Sequence, residues 1–410
     1  MHPPTDARGL LSRRRFLHAT AASVVAVATA AGRWTPASAA AFGGSTPRAD
    51  LPTLWNFSRH RAHRLTTAIE GTLQERSIPG AIVGVWQHGA APYVEAFGVR
   101  DTATGEPMSV DLHMRIGSET KTFTGTAVLQ LVDRKRIGID DPISTYLAGV
   151  PHGNEITIRQ LAEMRSGLPS YTQNPDWLRA LAADPHRQWT PQEVLPYSFS
   201  QDLLFAPGTD YHYSNTNTVL LGLVVEKRSK QPLATYIKRH ILTPLHLTHT
   251  SFPTSAEFPS PHAQGYTYLT PECLESHACQ TIVNATSWNS SWGWAAGAMV
   301  STLRDLRRWA WAVATGALLS RATQEQRLQF INTDVDGVGY GFALANSNGW
   351  IGHDGVIFGY ESTTIYLPSQ RATVVVLLNR NNPDFPLSSA DAVARAITEV
   401  ITPRNVYIPW

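Results

Sequence analysis

Strand-like segments stand at both ends of this chain's globular body and helical ones fill its middle. That order constrains the fold most. From Gly80 to Arg100, β-branched and apolar residues (Ile82, Val83, Val85, Tyr93, Val94) flank the turn-like His88-Gly89-Ala90-Ala91-Pro92, the pattern of a hairpin. The last third repeats the character in Gly339 to Leu344, Trp350 to His353, Ser362 to Leu367 and Ala372 to Leu378. Between them, Thr157-Ile158-Arg159-Gln160 and Thr190-Pro191-Gln192-Glu193 read as capped helix starts. A further helix opens at Ser301-Thr302-Leu303 and runs to Ala317, and a final one lies within Ser388 to Ile401. Strands from both ends must meet in one antiparallel sheet, so the spacing predicts an α+β fold whose lobes share a cleft.

The first thirty-nine residues have a different character. Ser12-Arg13-Arg14-Arg15-Phe16-Leu17 precedes the alanine-rich run Ala19 to Ala31, too short to span a bilayer, and Ala37-Ser38-Ala39 offers a small-residue cleavage site. Residues 1–39 therefore read as a twin-arginine export signal, giving a secreted or extracytoplasmic protein without a stable membrane anchor. They carry five arginines and one aspartate, so the formal +2 of the whole chain becomes about −2 for the rest. No basic block remains, which argues against nucleic acid as a partner. A charged content of 16% and a hydrophobic content of 43% fit a large core. No long linker divides residues 50–405, read as one domain with a sheet lobe (about 55–120 and 300–405) and a helical lobe (about 121–299). Cys273 and Cys279 enclose a short loop. In an exported chain this favours a local disulfide over a metal pair, with two free thiols as the alternative.

The candidate chemistry lies in three short motifs. If Gly117-Ser118 opens a helix, Lys121 of Ser118-Glu119-Thr120-Lys121 comes round onto the same face, within reach of the serine hydroxyl. A serine hydroxyl needs a nearby base before it attacks, and Lys121 is the nearest candidate. Taken alone the tetrad is an ordinary N-cap with a solvated lysine. Tyr213-Ser214-Asn215 follows, at the start of a buried helix. A tyrosine beside an ammonium can have its phenolate favoured, so Tyr213 is a second proton carrier, and Asn215 can hold a substrate amide and orient Lys121. Last comes His353-Asp354-Gly355, where a strand turns and glycine admits substrate close to the backbone. The amides of Ser118 and Val356 are positioned to converge on a developing oxyanion. Scattered histidines (His60, His63, His246, His249) show no metal-ligand spacing, and Trp288, Trp292 and Trp294 are candidates either for the pocket wall or for packing.

With Ser166-Gly167-Leu168-Pro169-Ser170-Tyr171, Phe205-Ala206-Pro207-Gly208 and Ala295-Ala296-Gly297-Ala298-Met299-Val300-Ser301, these motifs resemble the serine penicillin-recognising hydrolases. The resemblance is to the branch of secreted D-alanyl-D-alanine carboxypeptidases, class C β-lactamases, esterases and D-aminopeptidases. It implies a β-lactamase/transpeptidase-like fold, a five-stranded antiparallel sheet flanked by helices beside an all-helical lobe, with the serine between. It also implies an acyl-enzyme on Ser118, proton handling by Lys121 and Tyr213, substrate binding by Asn215, His353, Asp354 and Gly355, and no metal or organic cofactor. The implied substrates are small peptides, esters or β-lactams, cell-wall peptide among them. A D-alanyl-D-alanine carboxypeptidase is the leading expectation. The alternatives are an esterase, a D-aminopeptidase, a β-lactamase, an acyltransferase or a non-catalytic penicillin-binding protein. One departure bears on the choice. Asp354 stands where carboxypeptidases of this kind place threonine, and no lysine or arginine occurs from Leu328 to Gln370 to receive a terminal carboxylate.

Overall fold

The computed structural model describes residues 59–268, 273, 281–381 and 387–410. The expected signal, residues 1–39, lies outside them, as does Cys279. Cys273 is buried and disulfide-bonded.

The hairpin forms where the β-branched and apolar residues flank the His88–Pro92 turn, β1 (Gly80–Gln87) against β2 (Tyr93–Gly98). Short ladders follow. β3 (Met114–Arg115) pairs with β6 (Val300–Ser301), and β4 (Tyr266–Thr267) lies between β5 (Val283–Asn284) and β13 (Arg380–Asn381). The remaining strands are β7 (Ile331–Asn332), β8 (Val338–Tyr340), β9 (Ala345–Ser347), β10 (Trp350–Ile357), β11 (Tyr360–Leu367) and β12 (Ala372–Leu378). They join the hairpin in one antiparallel sheet of order β2-β1-β12-β11-β10-β9-β8-β7. The two ends of the body meet at its centre, with Val83 opposite Val376.

Eight strands replace the expected five because the short β7, β8 and β9 continue the sheet past β10. The strand expected over Gly339 to Leu344 stops at Tyr340. Ala343 takes a left-handed φ of 57°, and its amide leaves the sheet for the carbonyl of Ala162 at 3.0 Å.

Each face of the sheet is covered. Helices Arg59–Glu75 and Ser389–Ile401 pack Leu65, Ile69, Val393 and Ile397 against Val83, Val374 and Val376. The opposite face meets helix Leu303–Thr315, continuous with the core of the helical region through Phe123 and Trp309, whose rings stack at 3.9 Å. Every residue of β12 is buried, so apart from Thr373 it reads as a continuous apolar run.

Both threonine-led helix starts carry capping boxes, Thr157 with Gln160 and Thr190 with Glu193. Helix Thr120–Asp133 is different. It is buried all round from Thr120 to Leu131, and its threonines bond inward, Thr122 to the Glu119 carbonyl at 2.6 Å and Thr124 to that of Ala295 at 2.8 Å. A polar helix surface survives burial because its hydroxyls find backbone acceptors. That rigid helix carries the candidate serine at its start.

Candidate active site

Ser118 sits in a single 3₁₀ turn, Gly117–Glu119, that runs into the buried helix. Gly117 is left-handed, φ 47°, and a β-carbon there would stand 2.8 Å from the amide nitrogen of Val356. Only glycine permits the turn and the crossing strand to approach this closely. One helical turn on, Lys121 is fully buried. Its Nζ donates to Ser118 Oγ at 2.9 Å and to the carbonyl of Ala296 at 2.8 Å. The spacing placed lysine beside serine, but nothing in it pointed to the Ala296 carbonyl, which comes from the helix Trp294–Gly297.

The second motif enters over a loop built by Ser166 to Tyr171. The Ser170 hydroxyl accepts the Asn215 amide at 3.1 Å, and Thr216 Oγ1 donates to the Pro169 carbonyl at 2.8 Å. Ser166 Oγ donates to Asn217 Oδ1 at 2.6 Å. Tyr213 is thereby brought to Lys121, its ring centre 4.9 Å from Nζ, and Asn215 Nδ2 donates to Thr172 Oγ1 at 3.0 Å beside the cleft.

The third motif is the inner end of β10. β9 pairs only with Trp350 to Gly352, and the strand borders the cleft beyond it, at Asp354, Val356 and Ile357. The motif is not a turn. β10 continues through Gly355 to Ile357 before it reverses. A β-carbon on Gly355 would fall 2.0 Å from the carbonyl oxygen of Ile116, so this glycine seats the strand on the serine turn. The amides of Ser118 and Val356 thus lie on backbones in direct contact.

His353 is buried, with Nε2 at 3.1 Å from the Tyr340 hydroxyl and Nδ1 at 2.6 Å from the Asp354 carbonyl. Asp354 borders the cleft while being 1% exposed, and its carboxylate is 3.2 Å from His353 Nδ1.

Ser118, Tyr213, Asn215, Asp354 and Val356 line one cavity of about 200 Å³, whereas Lys121 lies beneath Ser118 and the expected substrate contacts His353 and Gly355 do not reach the cavity surface. Trp177, Trp292, Phe358 and Trp410 wall it. Of the three tryptophans named from the sequence, only Trp292 does so. Trp288 packs behind Phe358 at 5.2 Å, and Trp294 packs over Gly222. Among the described residues that line the cavity there is no lysine or arginine, whereas Asp334 and Asp354 supply carboxylates.

Glu119, next to the serine, went unread in the sequence. Burial raises its pKa to about 8, the charges of Asp354 and Asp391 add to that, and the nearby hydroxyls of Ser362 and Thr364 offset part of it. A carboxyl whose folded pKa is raised favours folding fully below its ordinary range and loses that contribution as pH climbs towards about 8. Glu119→Gln keeps the neutral shape. The variant is expected to melt closest to wild type at about pH 4 and to lose less stability than wild type between about pH 4 and pH 8. Melting curves at the two pH values check this, and equal losses would contradict it.

A number of known proteins are similar to this chain. Protein flp of Staphylococcus aureus is 28% identical over 340 residues, 79% of this chain and 64% of the relative, so the chain spans about 64% of that protein's length. A D-stereospecific amidohydrolase from Streptomyces sp. superposes with a TM-score of 0.73 at 27% identity, covering 83% of this chain and 99% of that one. The D-amino acid amidase of Ochrobactrum anthropi SV3, solved with L-phenylalanine amide, gives 0.71 at 25% identity over the same shares. The Beta-lactamase family model matches residues 65–399. With that match spanning most of the chain, and the antiparallel sheet and helices that go with it, this protein belongs to the Beta-lactamase family of serine hydrolases.

Proposed function

We propose that this is an exported amidohydrolase that works through an acyl-enzyme on Ser118 and takes amides or short peptides whose acyl part bears an amine. The observation that carries the reading is the Lys121–Ser118 bond of 2.9 Å at the floor of an aromatic cleft whose lining carboxylates meet no lysine or arginine among the described lining residues. An ammonium gains in such a field and a carboxylate does not. The similarity to the Streptomyces D-stereospecific amidohydrolase and the Ochrobactrum D-amino acid amidase supports the substrate class and favours D-configured acyl groups.

In the reaction so read, neutral Lys121 takes the Ser118 proton as Oγ attacks the carbonyl carbon. The amides of Ser118 and Val356 receive the oxyanion. Collapse breaks the C–N bond, and the leaving amine takes a proton delivered through Tyr213. Water then attacks the ester by the reverse path, and Asn215 holds the substrate amide. A D-alanyl-D-alanine carboxypeptidase would share every step up to its recognition of the terminal carboxylate. Its expected anion site finds no lysine or arginine among the described residues of the cleft wall.

The test compares release of ammonia from D-phenylalanine amide and L-phenylalanine amide with release of D-alanine from a peptide ending in D-Ala-D-Ala. The D-amide is expected to lead by about tenfold or more in kcat/KM. A lead for the peptide would replace this reading with the carboxypeptidase one, and no acylation of Ser118 by any of them or by a labelled penicillin would sink both.

A further inference from the structure

Beyond helix Ser389–Ile401 the chain runs back along the far end of the sheet, and side chains there pin it at several points. Trp350 Nε1 donates to the Asn405 carbonyl at 2.7 Å and Asn348 Nδ2 to that of Val406 at 3.0 Å. Ser347 Oγ accepts the Ile408 amide at 2.7 Å and donates to the Ile408 carbonyl at 2.9 Å. Tyr407, fully inside, donates to Asp391 Oδ1 at 3.0 Å. A strap anchored this firmly holds its last side chain in one place.

That side chain is Trp410, and it is placed against the motif residues. Its ring centre lies 5.2 Å from His353, 5.6 Å from Tyr340 and 6.3 Å from Tyr213, tilted edge-on to each. The indole is only partly buried and borders the same cavity as Ser118. Three other aromatics of the wall form a separate group, with Trp177 5.4 Å from Trp292 and Trp292 5.6 Å from Phe358.

Chemistry assigns the two groups different ends of a substrate. The leaving group must lie beside whatever protonates it, and in the acyl-enzyme reading on which this inference rests, that is Tyr213. A rigid indole packed against the Tyr213 ring therefore stands on the leaving-group side. The Trp177, Trp292 and Phe358 group is left to the acyl side. We propose that Trp410 is a specificity-determining wall that restricts the leaving group to ammonia or a small amine.

Two substrates with one acyl part read this out: D-phenylalanine amide and D-phenylalanine p-nitroanilide. Their intrinsic reactivities differ, but the difference cancels when the ratio of their kcat/KM values is compared between variants. Wild type is expected to favour the amide. Trp410→Ala is expected to shift the ratio towards the anilide by about tenfold or more, and Trp410→Phe by an intermediate amount. A packing role alone would lower both rates together, so an unchanged ratio, or equal losses, overturns the inference while leaving the acyl-enzyme reading intact. If wild type cleaves neither compound and no acyl group appears on Ser118 by intact mass, the parent reading has failed and this one falls with it.

Discussion

Ser118→Ala is expected to abolish turnover of the D-amide, with kcat/KM falling by about four orders of magnitude or more, while the melting temperature stays near that of wild type. The hydroxyl is half-open to the cleft, and its removal takes no mass from the core. Lys121→Ala should cost nearly as much activity by a different route. It leaves a nucleophile without its base and also removes the 2.8 Å bond to the Ala296 carbonyl. Stranding that buried acceptor costs about 1–3 kcal/mol, so this variant should melt earlier. Groups that act as a unit are not additive, so the double variant should be no slower than the worse single one. Steady-state kinetics with melting curves on all three proteins decide it. Additive losses, or a Ser118→Ala protein that keeps one-tenth of its activity, would show that the 2.9 Å contact is not the working pair.

How much of this was legible before the fold was known depends on whether the signal was local. The capping boxes at Thr157 and Thr190 are written within four residues each, and both formed. The apolar runs of β1 and β12 reflect strands covered on both faces, so they too were readable. The order of the three motifs indicated a shared site, and one cavity brings Ser118, Tyr213, Asn215 and Asp354 together. What was missed depends on pairs far apart in the chain. The Ala296 carbonyl that holds Lys121 is 175 positions away, and a backbone acceptor leaves no mark in the side-chain code. His353-Asp354-Gly355 looks like a turn because glycine usually signals one, yet here glycine marks the crossing of β10 over the Ile116 carbonyl. Trp410 carries no local pattern at all. Its place is set by a strap whose anchors are Ser347, Asn348 and Trp350.

Gly355→Ala is the substitution expected to separate the site's backbone from its side chains. The new methyl would stand 2.0 Å from the Ile116 carbonyl oxygen, 2.9 Å from its carbon and 2.7 Å from Ser362 Oγ. The hydroxyl can rotate, but a carbonyl fixed in the run-up to the serine turn cannot. Either β10 or the turn must therefore retreat. Such overpacking costs about 1–3 kcal/mol. It also carries the Val356 amide away from Ser118, and displacing an oxyanion donor costs about 10²–10³ in kcat. Gly352→Ala supplies the control. Its methyl would be equally close to a backbone oxygen, 2.0 Å from Thr364, but at the other end of the same strand, where β9 pairs and the serine turn does not reach. Comparable losses in melting temperature are expected for the two, with the large fall in kcat confined to Gly355→Ala. Equal falls in kcat would mean that the strand as a whole, rather than the seat of Val356 on the serine turn, sets the rate. A fall in neither would remove the Val356 amide from the oxyanion site and leave Ser118 to find its second donor elsewhere in the cleft.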